Sequence, residues 1–421
     1  MQTMTLVFLI ALAAGTALQW WLLRRQAHHV AAHADAVPEA FADRISLADH
    51  QKAARYTLAK IGLGRAELVI GTLILLGWTL GGGLALLDGA WSSVGWSPLW
   101  QGVALLVSLT LIGTVLDLPL RIVSTFGVET RFGFNRSTPG RFAADQLLET
   151  LVGLVIGVPL IAVMLWLMME AGAYWWLWAW AVWMGFMLLM TWAYPAVIAP
   201  LFNKFQPLEQ GELRSRLEDL LKRCGFHSDG MFVMDGSKRS AHGNAYFTGF
   251  GRHKRIVFFD TLLDGLAPPE VEAVLAHELG HFKRRHILKM LIVTALLSLL
   301  GLALLGWLSQ QTWFYSGLGV PRQDPAVALA LFMLVLPVFG VFLTPLMSAF
   351  SRRHEFEADD YAAQQASAAA LISGLVKMYR DSASTLTPDP LYSAFHHSHP
   401  PAPVRVAHLS SRMGGPSTQG T

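Results

Sequence analysis

Cysteine is almost absent from this chain. Cys224 is the only cysteine among 421 residues, so no disulfide can form within one chain, which fits a reducing compartment. Cys224 follows a basic amphipathic stretch in which no histidine is placed to activate a thiolate, so a cysteine nucleophile is disfavoured. The chemistry of this protein must therefore be sought in other residue types.

Charged residues are also scarce. They make up 14% of the chain, whereas hydrophobic residues make up 53% and the mean hydropathy is +0.42, which excludes an ordinary soluble protein. We predict a mainly α-helical polytopic membrane protein, because several apolar stretches reach the roughly 20 residues that a spanning helix needs. Seven such stretches lie at about 3–23, 65–88, 97–120, 147–169, 173–200, 287–308 and 326–349.

The basic residues predict the orientation of these spans. The first apolar stretch could be a secretory signal, but no basic residue precedes it and Arg24 and Arg25 follow it, which favours a retained helix with its N-terminus outside. In that orientation 31 of the 32 Lys and Arg residues lie on the inner side, and only Arg322 lies outside. The net charge of +3 therefore needs no nucleic-acid partner. The Ala-, Leu- and Trp-rich composition favours a bacterial inner membrane.

The most informative motif is His277-Glu278-Leu279-Gly280-His281. On an α-helix both histidines share one face, so their imidazoles can bind one metal ion. Glu278 would then lie beside the metal, where it can accept a proton from water and return it. This is the H-E-x-x-H pattern of zinc hydrolases. An amphipathic helix could carry it by chance, but Pro268–Glu272 ahead of the motif has the prolines and acidic residues of a helix start.

A catalytic zinc needs three protein ligands and one open position, so a third ligand must come from another segment. Glu355 and Asp359 are four residues apart, and on a helix they would face the same point, one as a zinc ligand and the other orienting a ligand imidazole. Glu357 is the competing ligand, although it faces away from Asp359. The alternative is a solvated acidic helix face, which is a common feature.

Residues 204–286 have the composition of a soluble domain. We predict an amphipathic helix at 213–221 and strands at 231–234, 244–250 and 255–259. Strands ahead of a zinc helix indicate a small zincin-like α+β domain whose edge strand could hold an extended peptide over the metal. The predicted segments are membrane helices 1–203, a cytoplasmic zincin domain 204–286, two spans 287–350, a C-terminal catalytic part 351–413 and a disordered tail 414–421.

The sequence leaves more than one interpretation open for the region of His399 and Arg405 and for Asp117. His399 and Arg405 could stabilise an oxyanion near a metal, although the His-rich run around His399 also fits a second metal site or a surface turn. Asp117, near the inner end of the third span, either marks a functional cavity or pairs with Arg121.

Taken together, these ordered motifs resemble a known family. The chain is similar along nearly its whole length to the type I CAAX prenyl proteases, which are integral-membrane zinc metallopeptidases. Besides the seven spans, the resemblance rests on the loop Glu129–Thr138, the run Ser237–Phe247, the motif His277–His281, the motif Glu355–Asp359 and the motif Ser398–Pro400.

The resemblance implies a role for each residue of the metal site. His277, His281 and Glu355 would bind one Zn²⁺, and Glu278 would be the general base. Asp359 would hold a ligand histidine. The membrane helices would form a chamber, with the metal at its cytosolic end.

It also implies how a substrate is held. Asn244 would contact the substrate backbone at the edge strand, and His399 with Arg405 would stabilise the transition state. Members of the family remove the last three residues from prenylated C-terminal Cys-aliphatic-aliphatic-any peptides, so the expected partners are a peptide or protein substrate, including a prenylated C-terminal peptide, and the lipid bilayer.

The leading prediction is a zinc metalloendopeptidase that hydrolyses peptide bonds with metal-activated water. Three alternatives stand beside it. A quality-control protease for misfolded membrane proteins would be similar to the heat-shock membrane proteases. A membrane channel or transporter would need more ionisable residues at mid-membrane depth than the spans contain. A non-catalytic chaperone on the same fold is disfavoured by the intact H-E-x-x-H motif.

Overall fold

The computed structural model describes residues 2–250 and 253–413. Within these residues, seven helices are long and apolar enough to cross a membrane, as the sequence predicts. The rest is a smaller helical part built around a four-stranded sheet. The predicted class, a mainly helical membrane protein with a small α+β domain, is therefore confirmed. The tail 414–421, predicted to be disordered, lies outside the described residues.

The membrane helices extend well beyond the apolar stretches that identify them. Short π-helical segments at Val123–Glu129 and Tyr194–Ile198 continue two of the spans toward the soluble part. In chain order the helices of the N-terminal half are α1 Thr3–Ala32, α2 Leu47–Trp78, α3 Gly83–Ser92, α4 Pro98–Ile122, α5 Thr130–Phe132, α6 Pro139–Glu170, α7 Trp175–Ala193 and α8 Ala199–Phe202.

The second span differs from the prediction. A continuous span over 65–88 is wrong, because α2 ends at Trp78 and the separate helix α3 begins at Gly83. Gly82 between them has a φ of 79°, which is a left-handed conformation that glycine adopts without steric cost. A Cβ at Gly83 would lie 2.8 Å from the carbonyl oxygen of Gly77. The Gly-Gly-Gly sequence is therefore a tight turn and not part of a helix.

The soluble part consists of a small sheet and of helices that lie between its strands and after them in the sequence. Its strands are β1 Phe205–Pro207, β2 Gly230–Met234, β3 Ala245–Phe250 and β4 His253–Phe259, in the spatial order β1-β2-β4-β3. β3 pairs with β4 in an antiparallel register and so forms one edge of the sheet. The remaining helices are α9 Glu212–Arg223, α10 Asp260–Gly265, α11 Pro268–Lys283, α12 His286–Leu308, α13 Thr312–Gly317, α14 Pro325–Gly340, α15 Thr344–Gln365, α16 Ala368–Asp381, α17 Pro390–His396 and α18 Ala402–Met413.

Apolar side chains of α9, the sheet, α11, α15 and α16 share one core. Burying these side chains is the main force that docks the helices on the sheet. The fully or almost fully buried members include Leu217, Leu220, Ile256, Phe258, Val271, Leu275 and Leu371.

Helices α11 and α15 approach each other most closely at Gly280. A Cβ on Gly280 would lie 2.9 Å from the Cα of Ala358 and 3.1 Å from the Cβ of Tyr361, so only glycine allows this separation. Both helices lead directly into the membrane. α12 begins three residues after α11 ends, and α14 and α15 form one nearly continuous helical segment over Pro325–Gln365.

We expect Gly280→Ala to destabilise the protein, because the added methyl group must push two packed helices apart. Overpacking of this kind typically costs about 1–3 kcal/mol, which lowers the Tm of the purified protein in detergent. Gly153→Ala in α6 is the matched control, because a Cβ at Gly153 would meet no atom within 4 Å. Equal Tm values for the parent and Gly280→Ala would contradict the close approach.

Candidate metal centre

The N-terminus of helix α11 is stabilised both by its own first residues and by contacts with α16. Pro268 occupies the first turn, where a missing N–H costs nothing. The Glu270 carboxylate accepts a hydrogen bond from the backbone N–H of Ala267 (2.7 Å) and bonds to Ser373 and Lys377 of α16, each at 2.7 Å. The helix is therefore fixed to α16 at one end and packed on α15 along its length.

This packing brings three metal-binding side chains together. The Nε2 atoms of His277 and His281 are 3.2 Å apart. Glu355 of α15 places Oε2 3.5 Å from Nε2 of His277 and Oε1 3.3 Å from Nε2 of His281. Ligand atoms around a tetrahedral zinc ion are separated by about 3.3 Å, since each bond is about 2.0–2.1 Å long. The three side chains thus have the spacing of a zinc ligand set.

The hydrogen bonding of Glu355 also fits a metal ligand. Its side chain is only 4% exposed, and its buried Oε2 atom has no hydrogen-bond partner among the described residues. A buried carboxylate oxygen without a partner is costly, and a bound cation would satisfy it. Two imidazoles and one carboxylate are moreover a donor set that zinc hydrolases use.

Asp359 and Arg405 lie behind His277. Asp359, which is fully buried, places Oδ1 2.8 Å from Nδ1 of His277. Arg405 of α18 bonds both oxygens of Asp359, with Nε–Oδ2 at 2.8 Å, and its Nη1 atom is 3.7 Å from Oε2 of Glu355. This pairing offsets the cost of burying the charges. It also fixes the ring of His277 so that Nε2 faces the cluster.

Burial and the charge of Arg405 lower the pKa of His277, but the hydrogen bond to Asp359 and the nearby carboxylate of Glu355 raise it more, and the pKa is about 9. Burial lowers the pKa of Arg405, while its bond to Asp359 raises it above the ordinary value. The buried guanidinium therefore stays charged. A metal ion bound by His277 must displace the extra proton, so metal uptake releases protons at neutral pH.

His281 is oriented by a residue that sequence reasoning missed. Its Nδ1 atom is 3.0 Å from Nδ1 of His286, and Nε2 of His286 is 3.0 Å from Oε2 of Glu357. Ligation through Nε2 leaves a proton on Nδ1 of His281, which can be donated to His286, while His286 donates its own Nε2 proton to Glu357. The predicted rival ligand Glu357 thus lies outside the ligand cluster. The signal for His286 is its position five residues after His281, in the first turn of α12.

Two further predicted site residues are Glu278 in α11 and His399, which follows α17. Glu278 is half-buried in α11 between the two histidines. The His399 side chain is 64% exposed, and its Nε2 atom is 3.3 Å from Oε1 of Glu355. Ser398 bonds Nδ1 of His399 at 3.1 Å. The His-rich run predicted to be a second metal site or a turn thus contributes His399 to this same cluster.

Asn244 lies earlier in the chain than the metal-binding residues, immediately before edge strand β3. Its side-chain oxygen accepts from the N–H of Ala245 at 2.8 Å, and its backbone oxygen accepts from the N–H of Phe259 at 2.9 Å. β3 also contacts α11, so this edge strand packs near the helix that carries the histidines.

The polar inner loop Glu129–Thr138 is attached to the segment ahead of β3. Asn135 forms a β-bridge with Ser240, and Phe134 stacks on His242 with ring centroids 4.6 Å apart. Arg239 binds both carboxylate oxygens of Asp145 in α6 at 2.8 Å. The membrane helices therefore position the start of the edge strand, a contact that no local sequence pattern indicates.

Asp117 does not form the predicted pair with Arg121. Arg121 instead bonds Gln146 and Glu149 of α6, the latter at 3.2 Å. Asp117 lines a cavity of about 560 Å³ together with Glu67 of α2. The predicted pair with Arg121 is therefore wrong, and a functional role for this cavity, which Arg121 also lines, stays a prediction.

Comparisons with known proteins agree with this arrangement. Residues 26–204 match the CAAX prenyl protease N-terminal region with five membrane helices, and residues 207–413 match Peptidase family M48. The CAAX prenyl protease 1 homolog of Caenorhabditis elegans is 32% identical over 95% of this chain and 97% of its own length. The chain belongs to peptidase family M48. CAAX prenyl protease 1 of Saccharomyces cerevisiae is 36% identical over 74% of this chain and 73% of its own.

The M48 fold is shared throughout the molecule. The crystal structure of Saccharomyces mikatae Ste24p superposes with a TM-score of 0.91 at 29% identity and covers 97% of this chain and 99% of that one. The M48 enzyme described here is therefore a metallopeptidase and an integral multi-pass membrane protein, and its cofactor is Zn²⁺. The family, fold, protease activity and cofactor predicted from the sequence are confirmed.

We expect His286→Phe to weaken zinc binding about 10- to 100-fold, the usual effect of losing a residue that orients a metal ligand. The phenyl ring preserves the buried volume but cannot accept a proton from His281 or donate one to Glu357. Zinc affinity is measured by competition with a chelator.

His354→Phe is the matched control. The His354 ring stacks on His286 with centroids 4.1 Å apart and has no hydrogen bond to the cluster. If both variants lose the same zinc affinity, packing and not hydrogen bonding explains the role of His286.

Proposed function

We propose that this M48 enzyme is a CAAX-type prenyl protease, which removes the C-terminal tripeptide from a prenylated substrate. The single observation that carries the catalytic part of the proposal is the convergence of His277, His281 and Glu355 within hydrogen-bonding distance of one another. The substrate is proposed from the relatives, which are named CAAX prenyl protease 1 and match 95% of this chain in one case and 74% in the other.

We assign His277, His281 and Glu355 as ligands of one zinc ion. When bound, zinc polarises the scissile carbonyl and lowers the pKa of water, so that hydroxide is available at neutral pH. Asp359 holds His277 in the ligating tautomer, because its carboxylate accepts the proton on Nδ1 at 2.8 Å. His286 does the same for His281.

Glu278 is assigned as the general base. It follows the first histidine in α11, and helical geometry would bring its carboxylate beside the ligand cluster. There it removes a proton from the attacking water and transfers it to the leaving amine, which restores the carboxylate for the next turnover.

His399 and Arg405 have different parts in stabilising the negative charge that develops on the carbonyl oxygen. His399 is mostly exposed and lies 3.3 Å from Glu355, so it can donate a hydrogen bond directly to that oxygen. Arg405 is only 6% exposed and bonds Asp359. Its positive charge acts from behind the cluster and keeps Asp359 and His277 in position.

The substrate backbone is proposed to add to edge strand β3. An extended peptide can form main-chain hydrogen bonds with an unpaired strand edge, and Asn244 lies at the start of that edge. The Asn244 side chain is exposed and can bond the peptide next to the scissile position.

The proposed location is a bacterial inner membrane, with the N-terminus outside and the catalytic part in the cytoplasm. The argument is the distribution of charge, since 31 of 32 basic residues lie on the side of the metal centre. A single cysteine, Cys224, agrees with that reducing compartment.

Glu278→Gln should retain zinc but lose proteolysis, with kcat falling at least about 100-fold, since the amide cannot accept a proton. Bound zinc and peptide cleavage are measured on the same preparation. Glu218→Gln in α9 is the control, because among the described residues Glu218 bonds only the neighbouring Arg214. Cleavage by Glu278→Gln at the parent rate would contradict the assignment.

The substrate class is tested by offering the purified enzyme three substrates: a prenylated CAAX peptide, the same peptide without the prenyl group, and a denatured membrane protein. We expect preferential cleavage of the prenylated peptide and loss of all cleavage on zinc chelation. Preferential cleavage of the denatured protein would instead indicate a quality-control protease.

A further inference from the structure

A cavity of about 650 Å³ opens beside His399 and reaches the inner end of α2. Its size is in the usual range for small-ligand sites. At one end it is lined by Ser398, His399 and Pro401, next to Glu355 of the metal cluster. At the other end it is lined by Thr57, Lys60, Ile61 and Gly64, which recur at helical spacing along one face of α2. The cavity therefore connects the metal centre with the first two membrane helices.

The charged residues that line this cavity are all of one sign. Among the described residues that line it there is no Asp or Glu, and Lys60 is the only Lys or Arg. Two of its four histidines, His396 and His397, have a pKa lowered by burial. The fixed charge of the lining is therefore a single positive one.

Lys60 is also free to bind a ligand. Its side chain is exposed, and no described carboxylate lies within 4 Å of its Nζ atom. Nζ lies 5.1 Å from the centre of the Tyr56 ring. Glu129, which contacts two residues of the lining, accepts a 2.6 Å hydrogen bond from the Tyr56 hydroxyl and lies 3.5 Å from His242. The Glu129 carboxylate thus interacts with Tyr56 and His242 and not with Lys60.

A cavity with one unpaired cation, uncharged hydroxyls such as that of Thr57 and no acidic residue favours an anionic ligand. A peptide substrate has one anion at a fixed position, the carboxylate of its last residue. Three extended residues beyond a scissile bond span about 10 Å, and the lining of the cavity includes both His399, beside the metal cluster, and Lys60 of α2.

We propose that Lys60 binds the C-terminal carboxylate of the substrate and so selects bonds close to a chain end. This proposal rests on the proposed function, because it names the residue that would recognise the terminal tripeptide. It predicts that the enzyme distinguishes a peptide acid from the corresponding amide, and that Lys60 provides the distinction.

The test uses two prenylated peptides that differ only in ending as a carboxylate or a carboxamide. We expect the parent enzyme to prefer the acid about tenfold in kcat/KM, as expected for one charge-assisted hydrogen bond that solvent partly screens. Lys60→Ala should abolish this preference, Lys60→Glu should reverse it, and Lys60→Arg should retain most of it. Arg55→Ala is the control, because Arg55 is exposed on the same helix but does not line the cavity, and it should keep the preference.

A second measurement does not depend on turnover. An aliphatic tripeptide acid and its amide are titrated into the zinc-loaded enzyme and their binding is measured by calorimetry, and the acid should bind about tenfold more tightly through Lys60. Equal binding of acid and amide by the parent, or an equal loss of both in Lys60→Ala, overturns the proposal for Lys60. Failure of the parent to cleave prenylated peptides overturns the proposed function, and the tripeptide titration still decides the role of Lys60.

Discussion

The close approach of α11 and α15 is the constraint on which the metal centre depends. The two helices carry different parts of the ligand set, and neither part is complete alone. Gly280 removes the side chain that would hold them apart, and Ala358 opposite it is small and fully buried. In sequence, Gly280 directly precedes His281, and Ala358 lies between Glu355 and Asp359. A small increase in the distance between the two helices would therefore move Glu355 away from both imidazoles. The packing of Gly280 against Ala358 thus controls the distances between the three metal-binding side chains.

That geometry also explains how several buried charges coexist. Glu355, Asp359 and Arg405 are almost completely buried, and an isolated charge there would strongly destabilise the fold. Each is compensated by a neighbour of opposite sign or by a ligand imidazole. Because removing any one partner leaves an uncompensated charge, the electrostatic balance of the site is shared by helices α11, α15 and α18, which are far apart in sequence.

The sequence was most informative where a physical rule acts locally. Helical periodicity places His277 and His281 on one face, bilayer thickness defines the seven spans, and alternation indicates the strands before the zinc helix. It was less informative where long-range packing decides. The role of His286 depends on the left-handed turn at Arg285, with a φ of 57°, after which His286 at the start of α12 meets Glu357 of α15. The failure of Asp117 to pair with Arg121 depends on α6, which supplies Glu149 instead. The predicted second span extends too far toward the C-terminus. Its three consecutive glycines do not lower the hydropathy of the apolar stretch enough to divide it, although they end the helix.

The connections of the ligand helices give the membrane a direct part in the site. α12 follows α11 after a two-residue turn, and α15 continues the span that begins at Pro325. Both helices that carry the ligand cluster are therefore joined to membrane-spanning helices, α11 through a short turn and α15 without a break, so the bilayer limits the depth of the metal centre. Helices resist bending, since each turn is held by backbone hydrogen bonds, and the site cannot move far from the membrane surface. A substrate must then bring its scissile bond to that depth, which a chain end attached to the membrane does at a lower cost in conformational entropy than an internal segment of a folded protein.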